Sequence, residues 1–219
     1  MKLYCHYCRS AFSNCYIVGT DLPEPAAGGG APSPLEAPLP REAIVIDPGE
    51  MDISILKFIE DNDYTLKGIL ITHDHPSHVN GLATIMRIYN TEIFAINPLV
   101  VNHRTTLVRD EDIITIGLFK VEVLSVPGHS ADSAVFKIDR LLFTGDALTA
   151  GLIGNTVSSY AAATQVSSLR SKILSLPGDY TILPGQGPPS SLKAERRFNL
   201  GIASFEAQKN RRPVFRIDL

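Results

Sequence analysis

Three of the six histidines in the 219-residue chain lie within one short segment, Thr72–His78. The segment follows the apolar stretch Gly68–Ile71, and α/β sheets place their functional groups at the carboxyl ends of such strands. Imidazole nitrogens are good ligands for zinc, iron and copper. The cluster therefore predicts a metal site at a sheet edge, in preference to a surface loop that is rich in histidine by chance.

Pro76 predicts the local structure of this cluster. Since proline disfavours helix in the residue before it, His73 and His75 are expected on a loop, free to point at one centre. A helix is then expected to begin at His78. The positive end of the helix dipole disfavours an imidazolium, so His78 is expected to stay available as a ligand.

Three later segments share one pattern, an apolar strand followed by a tight turn that carries a polar residue. One such turn alone is typical of many proteins, but a series after the histidine cluster indicates side chains that converge at one edge of a sheet. The turns are Pro127–Ser130 after Val121–Val126, Thr144–Ala147 after Leu141–Phe143, and Pro184–Gly187 after Tyr180–Leu183.

The elements that must position these turns follow from apolar periodicity. Two half-domains, each a sheet covered by helices, predict an α/β layered sandwich. The predicted strands are Leu3–Arg9, Cys15–Gly19, Ala43–Ile46, Gly68–Ile71, Glu92–Ile96, Ile113–Ile116, Phe119–Ser125, Ser133–Ile138, Leu141–Phe143 and Tyr180–Leu183. The predicted helices are Met51–Asp61, His78–Tyr89, Ala162–Leu174 and Leu192–Asn199.

Residues 21–41 are rich in Pro, Gly and Ala and are expected to form a flexible surface insertion within a hairpin. A polar turn is expected at Ser13-Asn14. His103 is expected on a surface helix, and both His103 and His6 are expected to have structural roles.

The cysteines do not form a disulfide framework. The spacing of Cys5 and Cys8 is that of half a zinc knuckle, but no second pair completes it. On a strand, residues three apart point to opposite faces, so these two thiols are not expected to share a metal. Cys15 is expected in the core.

Together the quoted turns resemble the metallo-β-lactamase-fold hydrolases, and among them the short glyoxalase II-like (hydroxyacylglutathione hydrolase-like) thioester hydrolases. The resemblance covers nearly the whole chain and implies one domain over residues 1–219, folded as a four-layer αββα sandwich. Further segments that carry it are Asn14–Tyr16, Ile46–Gly49, Ala150-Gly151, Gly154–Thr156 and Glu195–Asn199.

The resemblance also implies roles for single residues. The first-metal ligands correspond to His73, His75 and His129, and the bridging carboxylate corresponds to Asp146. His78 and Asp146 are the residues expected in catalytic roles.

This chain departs from the family pattern at two ligands of the second metal. Ser77 stands where the pattern has an aspartate, and Gln186 stands where it has a histidine. Asp146 is then the one family-placed carboxylate, and two adjacent divalent ions would repel each other strongly beside it. We therefore expect one divalent metal, with zinc favoured and iron as the alternative.

The expected activity is that of a metal-dependent hydrolase, which attacks a thioester or related ester through a metal-bound hydroxide. The loss of the carboxylate at Ser77 is expected to weaken hydrolysis. Two other hypotheses stay open. One is a catalytically impaired pseudoenzyme that serves as a binding domain. The other is a mononuclear Fe(II) enzyme like the persulfide dioxygenases, with His73, His129 and Asp146 as a two-histidine, one-carboxylate set.

Composition restricts the partners. Lysine and arginine number 20 and aspartate and glutamate 23, which gives a formal net charge of −3. This balance argues against a nucleic-acid binder driven by charge, and no window is apolar enough to cross a membrane.

The first ten residues lack the apolar core of a signal peptide. We expect a cytoplasmic protein with a small-molecule substrate, of which a thiol ester is one candidate.

Overall fold

The computed structural model describes residues 1–20 and 40–210. Its helices are α1 (Ile53–Asp61), α2 (Pro76–Val79), α3 (Leu82–Ile88), α4 (Ser159–Ser168), which continues as a π-helical segment over Leu169–Leu174, α5 (Leu192–Phe198) and α6 (Leu200–Asn210). Its strands are β1 (Lys2–Cys8), β2 (Ser13–Gly19), β3 (Glu42–Ile46), β4 (Thr65–Leu70), β5 (Glu92–Ala95), β6 (Leu99–Val100), β7 (His103–Arg104), β8 (Thr106–Leu107), β9 (Ile113–Ile116), β10 (Phe119–Ser125), β11 (Ala134–Ile138), β12 (Leu141–Gly145), β13 (Leu148–Thr149), β14 (Leu152–Ile153), β15 (Thr181–Pro184) and β16 (Ser190–Ser191).

Two six-stranded sheets form the centre of the molecule. The first has the strand order β1-β2-β3-β4-β5-β8 and the second β16-β15-β12-β11-β10-β9. Strands β3, β4, β5 and β8 run parallel, and so do β12 and β15. The loops that follow β3 and β4 therefore lie at one edge of the first sheet, and the loops that follow β12 and β15 lie at one edge of the second sheet. The predicted turns are found at such carboxyl ends.

Strand β2 illustrates why the layers form. Successive side chains of a strand point to opposite faces, and every residue of β2 is buried. Cys15 and Ile17 pack in a cluster with the side chains of α1. Tyr16 and Val18 face the other way, into a cluster shared with the second sheet. A third cluster joins the far face of that sheet to the segment after α4. These clusters give four layers, and the predicted αββα sandwich is confirmed.

The predicted helix over residues 78–89 was wrong in both its start and its continuity. The helix begins at Pro76, since proline at the first helical position loses no hydrogen bond. The chain then breaks between α2 and α3. The amide of Gly81 donates to the carbonyl of Pro48 at 2.8 Å and not to the carbonyl four residues earlier, so the helical hydrogen bonding is interrupted there.

Two further local predictions were wrong. Ser13 and Asn14 are buried strand residues, and the turn lies before them. His103 lies in the short strand β7, which pairs with β6, and not on a helix.

The predicted insertion falls almost entirely outside the described residues, which omit positions 21–39. On either side of it, β2 and β3 pair antiparallel, with Gly19 opposite Ala43. Within the described ranges, no helix is both long and apolar enough to cross a membrane.

Candidate metal centre

Three imidazole nitrogens converge at the carboxyl edges of the two sheets. The loop after β4 carries His73 and His75, and the loop after β10 carries His129. Nδ1 of His75 lies 3.1 Å from Nε2 of His73 and 3.0 Å from Nε2 of His129. Around a tetrahedral zinc ion with bonds of about 2.0 Å, neighbouring nitrogens are separated by about 3.3 Å. The three ligand atoms predicted from the sequence thus lie together, at a spacing that suits one ion.

The orientation of the His129 ring is fixed by the loop after β14. Its Nδ1 lies 2.9 Å from the carbonyl oxygen of Asn155. A carbonyl only accepts, so Nδ1 carries the hydrogen and Nε2 presents its lone pair to the centre. Such a partner on the second nitrogen is the usual way in which a protein orients a histidine ligand.

His73 is oriented through a chain of two hydrogen bonds. The Thr72 hydroxyl donates to Oδ2 of Asp47 at 2.6 Å, so its oxygen can accept from Nδ1 of His73 at 3.1 Å. This arrangement leaves Nε2 of His73 with a lone pair toward the centre.

Asp47 is the site residue that sequence reasoning missed. Its buried carboxylate accepts from the Thr72 amide at 2.8 Å and from Nδ1 of His78 at 2.9 Å. The segment Asp47–Gly49 is typical of an ordinary turn, which hid this role. One signal was available, because Asp47 follows β3 and therefore lies at the same sheet edge as the histidines after β4. Its φ of +49° adds a conformation that is uncommon outside glycine.

A second group of ligand atoms, from His73, His78 and Asp146, lies beside the first. Nε2 of His78 is 3.4 Å from Oδ2 of Asp146, and Nε2 of His129 is 3.7 Å from the same oxygen. Among the described residues, Nε2 of His78 and Oδ1 of Asp146 are buried without a hydrogen-bond partner. A buried polar atom without a partner is costly, and a cation held by the three imidazoles would place a positive charge beside the Asp146 carboxylate. The residues present therefore fit a metal ion.

Burial and charge set the protonation of these groups in the metal-free chain. Burial, with His78 and His129 nearby, lowers the pKa of His73 to about 3. Burial would also lower the pKa of His78, but the carboxylates of Asp47 and Asp146 outweigh it and raise that pKa to about 10. The expectation that the helix dipole keeps His78 neutral is therefore wrong without metal, because α2 has only four residues and two carboxylates face the ring.

Burial raises the pKa of the Asp146 carboxyl, but His78 and the other nearby imidazoles lower it overall. The pKa of His75 is lowered, first by burial and then by His129. The centre therefore offers neutral nitrogens at His73 and His75 beside an ionised carboxylate at Asp146, which is the state that binds a divalent cation.

The turn after β15 approaches His78 closely enough to require glycine. A Cβ on Gly185 would lie 2.2 Å from Cε1 of His78 and 2.9 Å from Oδ1 of Asp146. Asn14 holds this turn through hydrogen bonds to the carbonyls of Pro184 and Gly187, at 3.0 and 2.7 Å. The turn is fixed, yet the Gln186 side chain that it carries is exposed.

The centre is open on one side only. His75 is exposed and His129 half-buried, whereas His73 and His78 are buried. The guanidinium of Arg196, on α5, donates to the carbonyls of Leu174 and Gly178 at 2.8 and 2.7 Å, so this cation is not free to contact an anionic substrate.

Sequence comparison gives a family and a set of relatives. Residues 39–186 match the metallo-beta-lactamase superfamily. A hydroxyacylglutathione hydrolase from Francisella tularensis subsp. tularensis (strain WY96-3418) is 34% identical over 145 residues, which cover 65% of this chain and 57% of that protein. The match thus spans a little over half the length of this curated relative.

Solved structures share the fold across most of the chain. ETHE1 from Myxococcus xanthus superposes with a TM-score of 0.75 at 22% identity, covering 98% of this chain and 93% of that one. The BLEG-1 B3 metallo-beta-lactamase superposes with a TM-score of 0.72, also at 22% identity, covering 91% and 100%. At these identities the likeness establishes the layered architecture alone.

Proposed function

The chain belongs to the metallo-beta-lactamase superfamily, and from that premise we propose that it is a metal-dependent hydrolase of a small thioester or related ester. The observation that carries the proposal is the convergence of three imidazole nitrogens, 3.0 and 3.1 Å apart, beside the Asp146 carboxylate. Nothing in the packing of a sheet edge requires three rings to face one point. In His73 and His129, the ring nitrogen that faces away from the centre makes a hydrogen bond that orients the ring. Metal-ligating histidines are usually oriented in this way.

One zinc ion is the metal that we propose, held by His73, His75 and His129 with Asp146 beside it. Three imidazoles are a ligand set that zinc favours in catalytic sites. A second ion would have His78 and Asp146 as its main ligands. Ser77 and Gln186 add neutral oxygens at most, and the Asp47 carboxylate already accepts from Thr72 and His78. The mononuclear proposal follows from this shortage of anionic ligands.

The chain's own residues supply the rest of the chemistry. A bound zinc ion lowers the pKa of a water ligand toward neutrality and polarises a carbonyl oxygen. Oδ2 of Asp146 lies 3.9 and 3.7 Å from Nε2 of His73 and of His129, where it can accept a proton from the attacking water. Asp47 holds the His78 ring in place beside Asp146.

The substrate class rests on the relatives. The Francisella tularensis protein is named a hydroxyacylglutathione hydrolase, and the 34% identity to it spans 65% of this chain. The open side of the centre, at His75, admits a small ester from solvent. Arg196 is occupied by main-chain carbonyls, so an anionic thiol group would need other cations.

Metal content and thiol release test the proposal together. Protein purified without added metal or chelator is expected to hold zinc at the histidine centre and to release thiol from hydroxyacyl thioesters, a glutathione thioester among them. Chelation is expected to stop release and zinc to restore it. Zinc-loaded protein that cleaves none of the thioesters would favour the binding-domain hypothesis.

The iron hypothesis uses a subset of the same atoms. Nε2 of His73 and of His129 lie 3.9 and 3.7 Å from Oδ2 of Asp146, which is a two-histidine, one-carboxylate set. The third nitrogen, from His75, completes a three-imidazole set, which favours zinc over Fe(II). Iron in the purified protein, with oxygen uptake in the presence of a persulfide, would instead support the dioxygenase hypothesis.

A further inference from the structure

A second cluster of metal-ligating side chains lies on the edge strand β1, apart from the histidine centre. His6 and Cys8 are two residues apart on β1 and therefore share a face, whereas Cys5 points the other way and is exposed. Glu50, in the loop between β3 and α1, meets them from a distant part of the sequence. One ligand atom from each of His6, Cys8 and Glu50 lies within 4.8 Å of the other two.

We propose that His6, Cys8 and Glu50 form a second, thiolate-containing site for a divalent metal, with zinc as the expected ion. The cluster supplies one sulfur, one nitrogen and one oxygen, which is a ligand set that zinc accepts. Of the pair Cys5 and Cys8, only Cys8 takes part in this site, and its partners are not cysteines.

The spacing of the oxygen and nitrogen atoms suits an ion. Nε2 of His6 lies 3.0 Å from Oε1 of Glu50 and 3.6 Å from Oδ2 of Asp52. Tetrahedral zinc separates neighbouring nitrogen and oxygen ligands by about 3.3 Å. Asp52 is a candidate fourth ligand, because its Oδ1 caps α1 by accepting from the amides of Ser54 and Ile55 while Oδ2 faces His6.

The burial of the cluster suits a tightly held ion with a path to solvent. Cys8 is fully buried and His6 is only 9% exposed. A cleft of about 440 Å³ opens beside His6, and Glu50 and Asp52 also line it. An ion can thus reach His6 and the two carboxylates from solvent, with the buried Cys8 thiol next to them.

Backbone hydrogen bonds hold Glu50 in place. Its carboxylate accepts from the amides of Arg9 and Ser10, at 3.0 and 3.1 Å. A bound ion would link the edge strand to the loop before α1, where these hydrogen bonds already join them.

Cobalt(II) titration of the metal-free full chain tests this site separately from the histidine centre. Cobalt bound to a thiolate absorbs strongly in the near ultraviolet through sulfur-to-metal charge transfer, whereas the imidazole and carboxylate ligands of the histidine centre give no such band. We expect the wild-type protein to develop the band to a plateau of one thiolate-bound cobalt per chain. We expect Cys8→Ser to lose it and Cys5→Ser, the matched control on the opposite face, to keep it.

A variant that leaves Cys8 intact covers the case in which Cys8→Ser fails to fold. His6→Gln keeps the thiol and is expected to weaken cobalt binding in the charge-transfer titration by more than the roughly tenfold that loss of an outer-shell partner costs. The proposal is overturned if excess cobalt produces no band in the wild type, if the band survives in Cys8→Ser, or if His6→Gln binds as tightly as the wild type. Glu50 would then simply accept a hydrogen bond from His6.

Discussion

His129 links the two sheets at the centre, since its loop follows β10 while His73 and His75 follow β4. Replacing it with alanine removes one of three convergent nitrogens and leaves the carbonyl of Asn155 without its donor. We expect His129→Ala to lose metal from the centre and at least about 100-fold in thioester hydrolysis, since the zinc-activated water is lost. Elemental analysis and thiol release measure both.

His103→Ala is the matched control, because His103 is also half-buried but lies on β7, outside the cluster. Its metal content and turnover are expected to match the wild type. Unchanged turnover in His129→Ala would remove the basis for the assignment.

Protonation of His73 gives a pH prediction for the metal-free chain. The folded-state pKa is about 3, well below the ordinary value of 6.5. Between these values the unfolded chain binds a proton that the folded chain excludes, so stability falls as pH falls through this window. The contribution of His73 to this fall is up to about 1.4 kcal/mol per pH unit.

Urea unfolding of chelator-treated protein at pH 7 and pH 5 measures this loss. His73→Asn removes the titrating ring and is expected to have a shallower dependence on pH than the wild type. Equal dependence in the two proteins would mean that the ring is not held neutral.

At the residue scale, the sequence allowed His73, His75, His129 and Asp146 to be grouped, because clustered histidines and strand-end turns are local signals. Asp47 was not found in the same way. Its hydrogen bonds to Thr72 and His78 arise from the pairing of β3 with β4, which no local pattern encodes. The high pKa of His78 likewise depends on two carboxylates brought to the ring by other elements.

At the element scale, α5 supports the loop that orients His129. The buried carboxylate of Glu195 accepts from the amide of Gly151 at 3.0 Å and from Nδ2 of Asn199 at 2.7 Å. Gly151 lies in the turn between β13 and β14, and Asn155 follows β14, so this hairpin connects Glu195 to the loop that supplies the Asn155 carbonyl. Glu195→Ala is therefore expected to weaken zinc binding at the centre by roughly tenfold to hundredfold, as for other outer-shell partners.

Competition with a zinc-binding dye measures that affinity in Glu195→Ala. Arg197→Ala, an exposed position on the same helix, is the control and is expected to bind zinc like the wild type. If both variants keep full affinity, the loop is positioned by other contacts.

The elements differ in how well they could be predicted. Ile113–Ile116 and Phe119–Ser125 were predicted with the bounds of β9 and β10, because apolar alternation over a hairpin is a strong local pattern. The break between α2 and α3 was missed, because it depends on a hydrogen bond from the Gly81 amide to the Pro48 carbonyl, which is distant in sequence. The helix α6 was missed as well, since its small and polar residues carry little apolar periodicity.

At the scale of the whole molecule, both sheets contribute ligands, so the packing between them sets the geometry of the centre. Leu183, on β15, is buried in the cluster between the sheets, and Ile59, on α1, is buried in an outer cluster. We expect Leu183→Ala and Ile59→Ala each to cost about 2–5 kcal/mol in unfolding free energy. Only Leu183→Ala is expected also to weaken zinc binding.

Urea unfolding and zinc competition on this pair of variants separate stability from site geometry. A loss of zinc affinity that simply follows stability, equal in both variants, would contradict a special role for the interface between the sheets.

The central claim is that the histidine centre holds one metal and not two. The most direct measurement is a zinc-edge anomalous difference map from crystals grown with excess zinc. We predict one peak among His73, His75 and His129, and none between His78 and Asp146; a peak beside Cys8 belongs to the separate site. Two well-occupied peaks within the histidine centre would contradict the mononuclear account, and no peak there would mean that the centre does not bind zinc.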